Sequence, residues 1–318
     1  MESYVAVAGE ALIDLVPDTT TGSFRAVPGG SPANVAVGLA RLGCRTQLLG
    51  RIAASGFGPQ IREHVAGNGV GLDLAVSTSD PATLAVVSLD AAGAASYDFY
   101  ATGTADFGWT DADLPARLPD GVQALCTGSI AVFREPGAAA LHRLLVRERE
   151  TGRSTIVMDP NIRASLIGEQ QTVAARWREL IALADVVKAS DEDIAWLHPG
   201  ADPEDVLADW VSAGPAVAVV TRGGAGAVAI TAAGARISVP AVPTTVVDTV
   251  GAGDSFTAGL VDSLRRHDLL GGDRTAHLAA ASDDVLTTVL ERAARIAAIT
   301  CGRQGADPPT HREVDQAS

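Results

Sequence analysis

The sequence predicts an α/β fold, a mostly parallel central sheet with helices on both faces, and three observations carry that prediction. From about residue 124 onward, short β-branched runs alternate with longer segments of helical periodicity. Two glycine turns, Gly29-Gly30 and Gly251-Ala252-Gly253, each stand directly before a segment that reads as a helix. The alternation is interrupted by two strands, Thr83 to Leu89 and Ala95 to Tyr100, joined by Asp90-Ala91-Ala92-Gly93, a hairpin suited to an appended sheet or lid.

At 318 residues the chain is long enough for one large α/β domain with an appendage, or for two modest domains. Its 47% hydrophobic and 19% charged residues are a globular balance, and with aromatics at 4% the core must rest on Ala, Val and Leu. A formal charge of -14 argues against nucleic acid or an anionic membrane as partners, since many Lys and Arg hold those. A single lysine is present, Lys188, between Val187 and Ala189. A Walker A loop needs Gly-Lys-Ser/Thr, and a protein kinase needs His-Arg-Asp and Asp-Phe-Gly beside its lysine, so both designs are excluded. Cys44, Cys126 and Cys301 are odd in number and far apart, as expected of reduced thiols in a cytoplasmic protein. The histidines show no metal-ligand spacing, and Met1-Glu2-Ser3-Tyr4 lacks the basic start of a signal peptide. No apolar run approaches the roughly 18 residues of a membrane span.

Taken in order, Tyr4 to Ala8 reads as a buried strand that ends at Gly9-Glu10 and continues through Ala11-Leu12-Ile13 to Asp14. Asp14 is then either a loop aspartate or a carboxylate placed to meet a ligand at the sheet's carboxyl edge. In the next segment Ser31 fits an N-cap, Pro32 a first helical residue and Gly43 a stop, while Asn34 offers donors and an acceptor suited to hydroxyls. Thr46 to Gly50 is a strand and Pro59 to Gly67 a helix closed by Gly67-Asn68-Gly69. After the hairpin come strands at Ala124 to Gly128, Thr155 to Met158, Val186 to Ala189 and Ala216 to Thr221. Helices fall near Pro136 to Thr151, Thr172 to Ala184 and Pro203 to Ala213. Gly224-Ala225-Gly226-Ala227-Val228-Ala229 formally matches a dinucleotide fingerprint, but Val228 to Thr231 reads as a strand where the fingerprint needs a helix.

Val246 to Leu264 is the most informative stretch. Val246, Val247, Thr249 and Val250 read as the end of a strand, and Phe256, Leu260 and Leu264 as the apolar face of a helix starting near Gly253. A glycine turn at a helix start leaves unpartnered amides at the positive end of the helix dipole, which makes an anion site. Asp254, in the first turn, is either a carboxylate that favours the dipole or a general base beside a phosphate cradle.

Gly30-Ser31-Pro32-Ala33-Asn34 near the start and Asp248-Thr249-Val250-Gly251-Ala252-Gly253-Asp254 near the end resemble the ribokinase-like (PfkB) carbohydrate kinases. The resemblance runs from Gly9 to about Pro309, and Gly9-Glu10-Ala11-Leu12-Ile13-Asp14-Leu15 looks most like the fructokinase branch. It implies one ribokinase-like domain over 1–318, with a small antiparallel β lid inserted from about 10–28 and 80–106. It further implies Asp254 as the base, Gly251, Ala252 and Gly253 as the anion hole, and Asp14, Gly30 and Asn34 as holders of sugar hydroxyls, with Gly29 permitting close approach. Asp159-Pro160-Asn161-Ile162-Arg163 matches an Asp-x-Asn-x-Arg motif near the acceptor, which brings in Arg163.

Thr221, Gly223 and Gly226 resemble the family's nucleotide loop, and Arg222 joins them as a candidate contact for ATP. Ser190-Asp191-Glu192-Asp193 aligns with an Asn-x-x-Glu motif that organises magnesium (Mg2+), so Ser190 and Asp193 are implied there. Asp248, Val250, Thr300, Arg303 and Gly305 correspond to a monovalent-cation site, for potassium (K+) in many relatives. The chain departs from the family pattern at Asp193, at Ala53-Ala54-Ser55 in place of Gly-Asp-Asp, at Ala101 in place of a basic lid residue, and at Ala294 in place of an asparagine near the adenine.

The expected function is ATP-dependent phosphorylation of a primary hydroxyl of fructose, with ribose, 2-keto-3-deoxygluconate or a nucleoside as alternative acceptors. Gly253-Asp254-Ser255-Phe256 also resembles the nucleophile block of Gly-Asp-Ser esterases, but it is far from the N-terminus, and Asp307 and His311 are four apart rather than in an Asp-x-x-His. A non-catalytic sugar-binding sensor on the same fold is a further alternative: it would lack the base or have a blocked anion hole, and neither loss is seen, but the departures at Asp193 and Ala294 keep it open. The oligomeric state stays open, and an exposed lid edge offers a surface for a homodimer.

Overall fold

Val5 and Val7 pack into one apolar layer and Ala6 and Ala8 into another, and all four are at most 1% exposed. This is the two-residue period of a strand covered on both faces, and it explains why Tyr4–Ala8 reads as continuously apolar. The computed structural model describes residues 3–18, 20–89 and 95–316. The turn Asp90-Ala91-Ala92-Gly93 lies outside the described residues.

The strands, in chain order, are β1 Tyr4–Ala8, β2 Leu12–Asp18, β3 Ser23–Gly29, β4 Thr46–Leu49, β5 Arg51–Ala53, β6 Val76–Thr78 and β7 Leu84–Leu89. They continue with β8 Ala95–Tyr100, β9 Val122–Gly128, β10 Thr155–Asp159, β11 Val186–Ser190, β12 Val217–Thr221, β13 Ala227–Thr231 and β14 Arg236–Val239. Eight form the central sheet in the order β14-β13-β12-β11-β10-β9-β1-β4. It is parallel from β4 to β12 and antiparallel where the hairpin β13-β14 completes one edge. A second sheet, β3-β2-β7-β8, stands where the sequence leads one to expect a lid, and it consists of two antiparallel pairs joined side by side by parallel pairing of β2 with β7. The short β5 and β6 pair in parallel.

Helices cover both faces, as the alternation predicts. Gly137–Thr151, Gln170–Ile181 and Pro203–Ala213 pack on the layer of Ala6 and Ala8. Ser31–Arg41, Ala252–Arg266 and Asp283–Cys301 pack on the layer of Val5 and Val7. Sequence reasoning missed the last of these, although Leu286, Val289, Leu290, Ala293 and Ile296 carry its 3.6-residue period and are buried. The Ser31–Arg41 helix closes as the sequence predicts: Gly43 takes a positive φ of 84°, and the Cys44 and Gly43 amides donate to the Leu39 and Ala40 carbonyls. No helix among the described residues is long and apolar enough to cross a membrane.

Two local expectations are corrected. Val246 to Val250 is not a strand; Val246 and Val247 are each 61% exposed, and the amides of Val247 and Asp248 donate to the Cys301 carbonyl instead of a neighbouring strand. β-branched residues favour a strand only where a partner strand is present. Ser31 is the first helical residue and not the cap; Gly30 occupies the cap with φ 101° and no side-chain cap bond, which frees the Ser31 hydroxyl.

Candidate active site

The Ala252–Arg266 helix starts from Gly251, whose φ of 74° places it in the left-handed region that favours glycine. This turn lets the Ala252 amide donate to the Thr249 carbonyl, which removes Ala252 from the set of free donors that the sequence suggests. The amides of Gly251, Gly253 and Asp254 have no partner among the described residues, so an open donor set remains at the helix start. Asp254 is buried at the third helical position. Its Oδ1 accepts from Ser31 Oγ at 2.6 Å and its Oδ2 from Asn34 Nδ2 at 2.8 Å. These two contacts span more than 200 residues of sequence, and they join the two glycine turns into one site.

Asp14 lies on β2 of the lid, and a Cβ on Gly29 would come within 2.3 Å of its Oδ2, so glycine at 29 makes room for this carboxylate. A Cβ on Gly30 would lie 2.8 Å from the Glu10 carbonyl oxygen, so the second glycine is required by a backbone crossing. Burial pushes the Asp14 carboxyl up to about 6; Arg163 works against the shift and Asp254 adds to it. Arg163 is near enough to act on Asp14 through space, while its Nη1 donates to Asn161 Oδ1 at 2.8 Å.

Behind Asp254 is a buried polar layer. Asp159, at the end of β10, accepts from Lys188 Nζ at 2.8 Å and from Thr257 Oγ1 at 3.1 Å. Burial raises the Asp159 carboxyl, opposed by Lys188; for Lys188 burial acts against the charge, but Asp159, Asp193 and Asp254 outweigh it and hold the ammonium charged. Asp193 forms a capping box with Ser190 at the start of the Asp191–Leu197 helix, and its other oxygen accepts from the Ile162 amide at 2.7 Å. A cavity of about 20 Å³ lined by Ser31, Thr127, Ser129, Asp159 and Thr257 lies beneath the site, room for about one water. Sequence reasoning missed Ser31 as a donor to Asp254 and missed the Lys188–Asp159–Thr257 group; the lone lysine was the available signal.

Two further carboxyls, Glu10 and Asp106, are buried where the lid joins the central sheet. Asp106 accepts from the Ala11 amide at 2.8 Å, and Glu10 accepts from the Ala131 amide at 3.2 Å. Burial pushes Glu10 up from 4.5 to about 7, with the Ser129 hydroxyl opposing. Between those two values the folded state holds a proton that the unfolded chain has released, so stability falls as pH rises across the window. The loss above pH 7 is on the order of 3 kcal/mol. Glu10→Gln should therefore flatten the decline in melting temperature between pH 5 and 8, and parallel curves for variant and parent would contradict the assignment.

The remaining predicted residues fall in two groups. Thr221, Arg222, Gly223 and Gly226 lie at the β12-β13 hairpin, where a Cβ on Gly226 would come 2.1 Å from the Val239 carbonyl oxygen. Arg222 is 3.5 Å from Glu204, a carboxylate that Arg236 engages with two nitrogens, so its charge is only partly available. Asp248 accepts from the Val250 amide at 3.0 Å and the Gly305 amide at 2.8 Å, which fastens two loops together. Thr300 is buried with its hydroxyl on Ser255 Oγ at 2.8 Å, and Arg303 is paired with Asp307 and Glu313. Ser255 is thus a packed helix residue, against the esterase reading. No group of three or more His, Cys, Asp or Glu suited to a metal is found among the described residues.

A helix start with free amides, a carboxylate beside them and a second carboxylate on a lid define an α/β phosphotransferase for small hydroxyl compounds. The chain belongs to the pfkB family of carbohydrate kinases, whose pattern matches residues 2–312. A fructokinase of Rhizobium leguminosarum bv. trifolii is 38% identical over 277 residues, covering 86% of this chain and 83% of the relative. The crystal structure of a Xylella fastidiosa fructokinase with bound ATP superposes with a TM-score of 0.90 at 27% identity, covering 100% of both chains. A Vibrio cholerae O395 fructokinase double mutant in its fructose, ADP and potassium ion bound form gives 0.84 at 27% identity, covering 99% of this chain and 97% of that one.

Proposed function

We propose that this chain is an ATP-dependent kinase of the fructokinase type, transferring the γ-phosphate of ATP to a primary hydroxyl of fructose. The observation that carries this reading is the Asp254 carboxylate beside the unpartnered Gly251 and Gly253 amides. As the acceptor oxygen bonds to phosphorus, the bond from phosphorus to the departing ADP oxygen breaks and Asp254 takes the hydroxyl proton. The free amides take up charge that develops on the transferring group. Ser31 and Asn34 occupy two of about four lone-pair positions on Asp254, which leaves room for the acceptor hydroxyl.

Asp14, Gly30 and Asn34, with Arg163 beside them, hold the sugar, and the hairpin of Thr221, Arg222, Gly223 and Gly226 receives the nucleotide. A hard cation such as Mg2+ is held by one or two carboxylates together with substrate phosphates, which suits a site without a dedicated carboxylate cage. Asp193 with Ser190 would hold it through water, because both Asp193 oxygens already accept protein donors; the ion would neutralise phosphate charge. A potassium ion between the loops that Asp248 fastens, at Val250, Thr300, Arg303 and Gly305, would strengthen the positive field beside the anion hole. The protein is read as one domain over 1–318, cytoplasmic in keeping with its free cysteines, and paired as a homodimer through the lid.

A coupled ADP-release assay over fructose, ribose, adenosine and 2-keto-3-deoxygluconate, with and without potassium, tests the reading. Fructose should give the highest kcat/KM, and absence of ADP release with every acceptor would refute it. The ionised Asp14 accepts from sugar hydroxyls with both oxygens and more strongly than the acid does, so protonation below its value of about 6 should weaken binding. The fructose KM should rise as the pH falls through 6, by at most about tenfold per pH unit. A KM that stays flat from pH 7 to 5 would remove Asp14 from the sugar site.

A further inference from the structure

The only lysine of the chain is 3% exposed, an uncommon place for an ammonium. Lys188 reaches from β11 to Asp159 Oδ2 at 2.8 Å, and a Cβ built on Gly253 would lie 3.3 Å from its Nζ. Its charge therefore lies directly under the turn whose amides stay free. Asp159 also receives Thr257 Oγ1 at 3.1 Å, and that hydroxyl is equally 3.1 Å from the Gly253 carbonyl oxygen. Strands β10 and β11 are thus tied to the first turn of the Ala252–Arg266 helix through one ammonium, one carboxylate and one hydroxyl. The nearby arginines do not take this place: Arg163 is turned to its own loop and Arg222 to Glu204. Lys188 faces three carboxylates, Asp159, Asp193 and Asp254, which would otherwise repel a phosphate.

We propose that Lys188 is a positioning residue for phosphoryl transfer: locked between Asp159 and Gly253, its ammonium fixes the turn that carries the free amides and makes the phosphate cradle receptive to an anion. It touches no substrate and acts through Gly253 and Asp254. The proposal rests on the kinase reading above. A buried ion pair seldom adds net stability over an apolar pair of the same size, so the pair is better explained by what it does for the turn.

The single lysine supplies its own probe. Protein grown with 13C,15N-lysine carries one labelled side chain, whose resonance should shift on adding magnesium with a non-hydrolysable ATP analogue and move little with fructose alone. In steady-state assays Lys188→Met should lower kcat by about 100-fold with the fructose KM within about threefold. Because this variant leaves Asp159 unpaired and can unfold, the deciding comparison is Lys188→Met/Asp159→Asn against Asp159→Asn alone. The double variant should recover the melting temperature lost in Lys188→Met, yet have a kcat at least about tenfold below that of Asp159→Asn. Equal kcat for the two, or a lysine resonance that the nucleotide analogue leaves unmoved, would overturn the proposal. Were the parent protein to release no ADP with any sugar, the kinase reading would fall while the resonance still decided the placement of Lys188.

Discussion

Replacing Asp254 by Asn should lower kcat by roughly 10² to 10⁴ while the fructose KM stays within about threefold. The amide is nearly the shape of the carboxylate but cannot take a proton as the acceptor oxygen bonds to phosphorus. Ser31 can still donate to the carbonyl end of the new side chain, and Asn34 can turn its own amide to meet the other end, so the pocket survives the change. What is lost is the transition-state proton acceptor, which appears in kcat. Steady-state kinetics with fructose and ATP, with a melting curve to show that the variant is folded, reads the outcome. Turnover within about fivefold of the parent would leave Asp254 as a helix-start carboxylate with no part in proton transfer.

The second large effect is expected at Gly251→Ala. This residue has φ 74°, and its added Cβ would lie 2.6 Å from the Ala306 Cβ and 2.8 Å from the Ala306 Cα. Left-handed backbone costs a residue with a side chain roughly 1–2 kcal/mol, and forcing a methyl into filled space costs roughly 1–3 more. Because part of the obstruction is backbone, relief must come from the turn itself, which moves the free amides of Gly251, Gly253 and Asp254. Loss of one such donor lowers kcat by about 10² to 10³ in comparable anion holes. The variant should therefore combine a lower melting temperature with a fall in kcat. A variant that is destabilised but turns over normally would show that these amides do not meet the transferring group.

Local chemistry made much of this site legible. Gly29-Gly30 and Gly251-Ala252-Gly253 announce themselves because few residues besides glycine fit positive φ or close backbone crossings, and the helices that follow them carry clear periodicity. The sheet was legible for the same reason, from buried runs such as Tyr4–Ala8. Contacts between distant residues were not. Ser31 has the chemistry of an N-cap, and only the fold shows that its hydroxyl goes to Asp254 instead. Lys188 was informative in sequence through the motifs it lacks, while its pairing with Asp159 depends on the adjacency of β10 and β11. Asp193 matches a metal-organising position by alignment, yet its oxygens are taken by a capping box and the Ile162 amide. Val246 to Val250 failed as a strand because propensity says nothing about whether a partner edge is present.

The Ala252–Arg266 helix is secured at both ends. Near its start, Asp254, Ser255 and Thr257 are bonded to Ser31, Asn34, Thr300 and Asp159. Toward its end, the fully buried Asp262 accepts from Arg265, Arg266 and Arg292, the last from the neighbouring Asp283–Cys301 helix. Asp254 is therefore mounted on a helix fastened at both ends within the central layers, and Asp14 lies on the separate four-stranded sheet, so that any movement of the one sheet against the other would carry Asp14 while Asp254 stays in place. Hydrogen exchange should be slowest in the amides of residues 256–264, and the slowing caused by fructose should be confined mainly to β2 and β7.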